Sequence, residues 1–260
     1  MAEKRAVRSF WEHQPCGAKT TEAPEGTGQF FAEVELRRQE LEPFIERYAD
    51  FRSTTGQDVL EIGVGLGTDF VRFARAGARI RGVDLTTTAV RLVTQRLAQE
   101  GLEGEVEVAD AEQLPFPDRS FDVVYSWGVL HHTPDTAAAI SEAIRVLRPG
   151  GRLCVMLYGR RSWVAFALWV RYALLRGQPA RTLSNVVANH MESQGTKAFT
   201  EAEVRALLKP LDQVTLDRPA TAVDRRVAGP VANLTHRWLG WYIVARGVKP
   251  TGSVEAFRSA

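Results

Sequence analysis

Val59-Leu-Glu-Ile-Gly-Val-Gly-Leu-Gly-Thr-Asp69 decides the fold. An apolar run carries an acid, Glu61, and three glycines follow at alternate positions, Gly63, Gly65 and Gly67. A helical pattern then opens with Phe70, Val71, Phe73 and Ala74. The order is strand, tight turn, helix start. Glycine presents no side chain to a ligand and takes backbone angles that other residues avoid. Such a loop lets a ligand touch the main chain at the carboxyl edge of a parallel sheet. Seventeen residues past Gly67, a second apolar strand ends in an acid, Arg81-Gly-Val-Asp84. The pair points to a nucleoside, with the loop holding its tail and Asp84 accepting from the ribose hydroxyls.

The spacing narrows the choice of nucleoside. A dinucleotide fingerprint, G-x-G-x-x-G, needs its third glycine where Thr68 stands, so a nicotinamide oxidoreductase is a poor match. No Lys-Ser/Thr pair follows, so a phosphate-cradling loop is also a poor match. Three further segments fall in order: Asp110-Ala-Glu-Gln-Leu-Pro-Phe116, Phe121-Asp-Val-Val-Tyr-Ser-Trp-Gly-Val-Leu-His-His-Thr-Pro134, and Arg145-Val-Leu-Arg-Pro-Gly-Gly-Arg-Leu153. Taken with Glu61–Gly67 and Asp84, they resemble the class I S-adenosylmethionine-dependent methyltransferases. Val129–Asp135 and Val146–Gly151 resemble the small-molecule branch, which includes quinone, sterol and natural-product enzymes. The resemblance covers roughly residues 55–158.

The resemblance implies an α/β fold, a Rossmann-like doubly wound seven-stranded sheet of order 3-2-1-4-5-7-6 with one antiparallel strand, plus a helical cap. It implies S-adenosyl-L-methionine as cofactor. Glu61, Gly63, Gly65 and Gly67 would line its methionine part, Asp84 would hold the ribose with Leu85 beside the adenine, and Asp110 and Ala111 would bind the adenine. Ser126 and Trp127 would border the sulfonium, and Gln29, Phe30 or Phe31 would close over the methionine end.

Periodicity gives the elements. Residues 31–51 read as a helix with Pro43 as its kink or break. Strands are expected at Asp58–Ile62, Arg79–Asp84, Glu105–Ala109, Phe121–Ser126 and Gly151–Tyr158, with helices over 68–76, 87–100 and 136–147. That alternation means a parallel sheet with helices on both faces. Thr200-Glu-Ala-Glu-Val reads as a capped helix start, and strands near 212–218 and at Trp241–Ala245 form a hairpin-like pair. The units are then 1–50, an N-terminal cap and helix; 51–159, the cofactor-binding core; 160–198, a helical lid insertion; and 199–260, completing the sheet. Residues 1 to about 30 are mixed and turn-rich and read as a flexible cap.

The 260 residues carry net charge +2, with 45% hydrophobic and 25% charged residues, an ordinary globular mix. The charge is uneven: Arg160–Pro250 holds 14 Lys+Arg against 6 Asp+Glu. A solvated surface explains this, as does a substrate or partner bearing phosphate or carboxylate groups. Two distant cysteines, Cys16 and Cys154, exclude a disulfide framework and a cysteine-built zinc site and fit a reducing cytoplasm. No signal-peptide core and no run of about 20 apolar residues is visible. A cytoplasmic chain with no transmembrane segment is expected.

Methyl transfer from a sulfonium needs alignment, exclusion of water and sometimes removal of a proton. The candidates for the proton are His131 and His132, at the carboxyl end of the fourth strand, and Tyr158, ending the fifth strand, is a comparable candidate for substrate contact at the catalytic site. The histidines serve equally as packing for the loop before Pro134, and Tyr158 as an amphipathic wall residue. No metal-ligand spacing is present. Trp163–Leu175, apolar nearly all round, reads as a lid over an apolar substrate, ahead of a dimer contact or a membrane-surface helix. His190, Glu192 and Lys197 on the same insertion read as surface residues that could meet a substrate. The expected activity is methyl transfer to O, N or C of a small, partly apolar molecule, with a homodimer possible and no DNA partner. The alternatives are an RNA or nucleotide methyltransferase, and a cofactor-binding protein that transfers no methyl.

Overall fold

The computed structural model describes residues 2–252; the last eight residues of the sequence-assigned 199–260 unit lie outside the described residues. Seven strands form one sheet: β1 (Asp58–Ile62), β2 (Arg79–Asp84), β3 (Glu105–Val108), β4 (Phe121–Trp127), β5 (Leu147–Tyr158), β6 (Asp212–Asp217) and β7 (Tyr242–Val248). Their order is β3-β2-β1-β4-β5-β7-β6, as the resemblance implied. β1 to β5 are parallel, and β7 runs antiparallel to both β5 and β6. Strand β5 begins four residues earlier than the sequence suggests, with a register shift against β4 where Pro149-Gly150 falls.

The apolar run of β1 is the reason it lies near the centre. Val59, Leu60 and Ile62 are fully buried because both faces of the sheet are covered. Side chains alternate between those faces. Val59, Val123, Tyr125 and Trp127 join one core with Phe70 and Phe73, while Leu60, Ile62 and Val124 join the other with Ile140.

The helices follow their caps. α4 (Phe70–Arg75) joins β1 to β2, α5 (Thr87–Glu100) runs from the Thr86 cap to Gly101, and α6 (Thr136–Val146) starts at the Asp135 cap. Pro43 separates α2 (Gly28–Leu41) from α3 (Ile45–Ala49). After β5 come α7 (Trp163–Tyr172), a 3-10 turn at Leu174–Arg176, α8 (Leu183–His190), and α9 (Glu201–Leu207), whose Thr200 and Glu203 form a capping box.

Three helices were not expected. α1 (Ala2–His13) takes the place of an irregular N-terminus; its Val7 and Trp11 lie a turn apart and pack inward. α10 (Ala222–Ala228) and α11 (Val231–Leu239) lie between the two strands read as a hairpin, so that pair closes through a helical connection.

Candidate active site

The strand order reverses between β1 and β4, and open α/β sheets bind ligands at the carboxyl edge of such a crevice. A cavity of about 400 Å³ lies there. Ile62, Asp84, Trp127 and Tyr158 line it from the ends of β1, β2, β4 and β5. Tyr242 lines it from the start of antiparallel β7, opposite Tyr158.

The glycine loop divides its tasks. All three glycines hold positive φ, +82° at Gly63, +52° at Gly65 and +71° at Gly67. A Cβ on Gly63 would stand 2.3 Å from Val129 Cγ2, and one on Gly67 would stand 2.9 Å from Val93 Cγ2, whereas one on Gly65 meets nothing within 4 Å. Gly63 and Gly65 line the cavity; Gly67 packs the loop against α5. Asp84 ties the loop to β2, its Oδ2 accepting from the Gly65 N–H at 3.1 Å and its Oδ1 from Thr86 N–H at 2.9 Å and Thr86 Oγ1 at 2.7 Å. Burial raises its carboxyl above the ordinary value, against those hydrogen bonds.

Beside the loop lies a largely buried charged cluster, of which the sequence reading named Glu61 but not Arg38, Glu42 or Asp69. Arg38 on α2 donates to Asp69 Oδ2 at 2.9 Å and stands 3.1 Å from Glu42. Tyr125 donates to the same Asp69 oxygen at 2.9 Å, and Glu42 accepts from Trp127 Nε1 at 2.9 Å and Tyr242 Oη at 2.7 Å. Glu61 completes the group. Burial first, then nearby Asp69, raise its carboxyl well above the ordinary range. Three buried atoms of these cavity-lining residues have no hydrogen-bond partner: Arg38 Nε, Glu61 Oε2 and Asp69 Oδ1. One donor and two acceptors left unpaired beside a cavity match the carboxylate and ammonium of an α-amino acid. Glu61 was read in advance as lining the methionine part, and Asp69 stands at the end of the same glycine stretch. Arg38 and Glu42 sit on a helix far away in sequence.

At the other end, Asp110 and Ala111 line the cavity with Leu85. Asp110 Oδ1 accepts from Glu112 N–H at 2.9 Å. Lys4 on α1 pairs with both Asp110 and Glu112, while Glu12 near the end of α1 accepts from the N–H and hydroxyl of Thr87 and Thr88 at the start of α5. Those four hydrogen bonds outweigh burial and hold the Glu12 carboxyl at about 2. Helix α1 is thereby fixed at both ends across the Asp84 and Asp110 side of the cavity.

The β4–β5 side carries the candidate acid–base groups. His132 lines the cavity, with Nδ1 3.0 Å from both Ser193 Oγ and Thr196 Oγ1. Its Nε2 stands 3.2 Å from Glu192 Oε2, out of line for a hydrogen bond. Tyr158 donates to that same oxygen at 3.0 Å, and burial keeps its phenol protonated. Glu192, on the insertion, holds an unusual positive φ of 26° in the cavity wall. Cys16 opens onto the cavity.

Several sequence-chosen residues lie elsewhere. His131 is fully buried and packs on Tyr158 with ring centroids 3.8 Å apart; burial, then His132, push its imidazole well below its ordinary range, so it stays neutral. Ser126 points to the opposite face from Trp127, as alternation demands, and donates to Ile62 O at 2.9 Å. Phe30 and Phe31 pack with Leu66 and Leu92, and Gln29 is exposed and bonds Glu33. Of the polar groups on the insertion, Glu192 reaches the cavity; Lys197 donates to Thr133 O and His190 stacks on Tyr172. Among the described residues, no group of three or more His, Cys, Asp or Glu is placed to hold a metal ion.

Comparison with known proteins agrees with this geometry. Residues 60–155 match the family described as "Methyltransferase domain". The 27-O-demethylrifamycin SV methyltransferase of Amycolatopsis mediterranei is 41% identical over 103 residues, 38% of this chain and 38% of that protein. The demethylmenaquinone methyltransferase of Tropheryma whipplei is 33% identical over 127 residues, 47% of this chain and 52% of that protein. The chain thus spans about half, or less, of these relatives. Haemonchus contortus phosphoethanolamine N-methyltransferase 2, solved with S-adenosyl-L-methionine, shares the fold at TM-score 0.62 and 19% identity, covering 94% of this chain and 60% of that one. On these motifs, this sheet order and the match over its core strands, the chain carries a class I S-adenosylmethionine-dependent methyltransferase domain.

Proposed function

We propose that this chain transfers the methyl group of S-adenosylmethionine to oxygen or nitrogen of a small, partly apolar molecule, with carbon a further possible acceptor, in the cytoplasm. The observation that carries the reading is the unpaired trio Arg38 Nε, Glu61 Oε2 and Asp69 Oδ1 beside the glycine loop. An amino-acid tail satisfies all three at once, and a nucleoside attached to it runs along the cavity toward Asp84 and Asp110. A nicotinamide dinucleotide offers no such tail.

The residues present fit the cofactor. Arg38, Glu61 and Asp69 would hold its methionine end, with Gly63 and Gly65 giving main-chain contact. Asp84 would accept from the ribose, and Asp110, Ala111 and Leu85 would hold the adenine. When bound, the cofactor supplies an electrophilic methyl on a positively charged sulfur.

The chain supplies the rest. Alignment of the acceptor in a largely apolar chamber contributes on the order of 7–11 kcal/mol through orientation and exclusion of water. Trp127, Met156, Tyr158 and Tyr242 form the wall of that chamber. Tyr158 is not the base, because its phenol stays protonated. His132 and Glu192 are the groups available to take the acceptor's proton, with Ser193 and Thr196 holding the His132 ring. Helix α1 and the 160–198 insertion close the two sides, one through Lys4 and Glu12 and the other through Glu192.

The test is product formation. The chain, incubated with S-adenosylmethionine and a panel of phenols, hydroxylated macrocycles, quinols and amines, is expected to release S-adenosylhomocysteine in proportion to acceptor gaining 14 Da, about one methylene, by mass spectrometry. Tight cofactor binding with no such product across the panel would instead favour a protein that uses the cofactor without transferring its methyl.

A further inference from the structure

Exposed large apolar side chains are concentrated on one part of the molecule. Of ten such residues among those described, eight lie on α7, the turn after it, α10 and α11. Leu175 is 74% exposed, Leu234 78% and Trp238 69%. A lone exposed leucine needs no explanation, but a contiguous group does.

The group is contiguous. α10 packs against both α7 and α11. Trp163 of α7 donates through Nε1 to Thr235 Oγ1 of α11 at 2.8 Å. Val231, Thr235 and Trp238 share one stripe of α11, at i, i+4 and i+7, and Phe166 lies one turn from Trp163 on α7. The exposed residues of α7, α10 and α11 therefore flank one helical seam, and Leu174 and Leu175 follow on the turn at the far end of α7.

The charge around that seam is of one sign. Residues 160–191 hold five arginines and no acid. The only acid in α10 and α11, Asp224, is turned inward, capping its own helix and accepting from Trp241 N–H at 2.9 Å. Six exposed arginines (161, 171, 176, 225, 226 and 237) have no carboxylate partner within ion-pair distance among the described residues. Elsewhere the chain pairs its arginines freely, as at Arg75, Arg79, Arg145 and Arg148.

We propose that this face, built by α7, its following turn, α10 and α11, docks on a membrane surface rich in anionic lipid. Apolar side chains flanked by unpaired arginines, with a tryptophan among them, are what an interfacial surface needs: the first enter the acyl boundary and the second meet lipid phosphates. A second copy of the chain is the poorer occupant, because face-to-face contact would set these arginines against their own kind. An RNA leaves Leu175 and Leu234 unexplained. Among the described residues no helix is long and apolar enough to cross a membrane, so the contact is with the surface. The segment that carries part of this face, 160–198, also carries Glu192 into the cavity wall, so docking and acceptor chamber are joined by one stretch of chain.

The test is co-sedimentation of the full chain with vesicles, without cofactor, so that its outcome is independent of any methyl transfer. Vesicles of phosphatidylglycerol and phosphatidylcholine in equal parts are expected to bind it, phosphatidylcholine alone to bind it weakly, and added salt to release it. Leu234→Ser and Trp238→Ala, both at exposed positions, should each lower partition about tenfold. Arg225→Gln with Arg226→Gln should lower it about fivefold per charge. Unchanged circular dichroism and melting temperature show that the variants remain folded. The proposal is overturned if anionic vesicles fail to bind the chain, or if neither set of substitutions weakens binding. It is overturned equally if the apolar variants instead dissolve a dimer seen by sedimentation, or if single-stranded RNA binds where vesicles do not.

Discussion

Replacing Glu61 by glutamine separates the cost of this site from its use. Glu61 is 4% exposed, with one carboxylate oxygen unpaired and its carboxyl raised well above the ordinary 4.5 by burial and by Asp69. A carboxyl that holds its proton more tightly when folded makes the folded chain bind more protons than the unfolded chain between the two pKa values. Stability therefore falls as pH rises through that window. Glu61→Gln removes the charge and that pH slope. The amide still leaves a buried polar atom unpartnered, so the gain at neutral pH is about 1 kcal/mol, a melting temperature higher by about 2–4 °C for a chain of this size. The gain should shrink as the pH drops toward 4.5. Ligand binding should move the other way. A charge-assisted hydrogen bond to the cofactor's ammonium is worth about 2 kcal/mol, so affinity should fall about thirtyfold. With S-adenosylhomocysteine at a hundred times the wild-type Kd, ligand stabilisation is about 2.7 kcal/mol; the variant, at the same concentration, should show about 0.9 kcal/mol. Thermal melts of both proteins, with and without ligand, read both effects. A variant that melts lower without ligand, or keeps the full ligand shift, would refute the assignment.

Other perturbations address the remaining parts. Asp84→Ala should weaken S-adenosylhomocysteine binding by about ten- to a hundredfold in a calorimetric titration, since it removes a charged acceptor and the tie to Gly65; unchanged affinity would remove Asp84 from the ribose. Gly65→Ala, whose Cβ meets no protein atom within 4 Å, should cost about 1–2 kcal/mol from its positive φ and lower cofactor affinity as well; an affinity equal to wild type would mean that the loop does not touch the ligand. Glu192→Gln and His132→Ala should each lower kcat by about 10²–10⁴ while cofactor affinity holds; a fall in affinity alone would make them structural. Glu12→Ala should cost about 1 kcal/mol by uncapping α5, and because its folded pKa lies near 2 this contribution is present above about pH 4.5 and lost as the pH falls toward 2, readable in acid denaturation.

The sequence displayed the fold where local pattern and long-range pairing agree. Asp58–Ile62 is apolar enough to be buried on both faces, and Thr86 and Gly101 bracket α5, so those elements could be read directly. The glycine loop and Asp84 were legible because their chemistry sits in adjacent turns. What could not be read depends on distant segments meeting. Arg38 and Glu42 join the site only because α2 crosses the sheet edge. Glu192 was read as surface, and only the return of the insertion brings it beside His132. Residues 2–13 were read as turn-rich because the prolines and glycines downstream dominated the window, while the apolar side of α1 is completed by the cavity it covers. Ser126 and Trp127 were taken together, yet strand alternation sends them to opposite faces. His131 and His132, adjacent in sequence, likewise separate into one sealed ring and one that lines the cavity.

The account rests most heavily on the fit between the cavity and an adenosyl amino acid. Calorimetric titration of the 260-residue chain with S-adenosylhomocysteine, alongside adenosine and methionine separately, tests this directly. The account predicts one saturable site for the joined molecule, with binding far tighter than for either half, and its loss on combining Glu61→Gln with Asp84→Ala. Absence of binding, or affinity equal to that of adenosine alone, would contradict it.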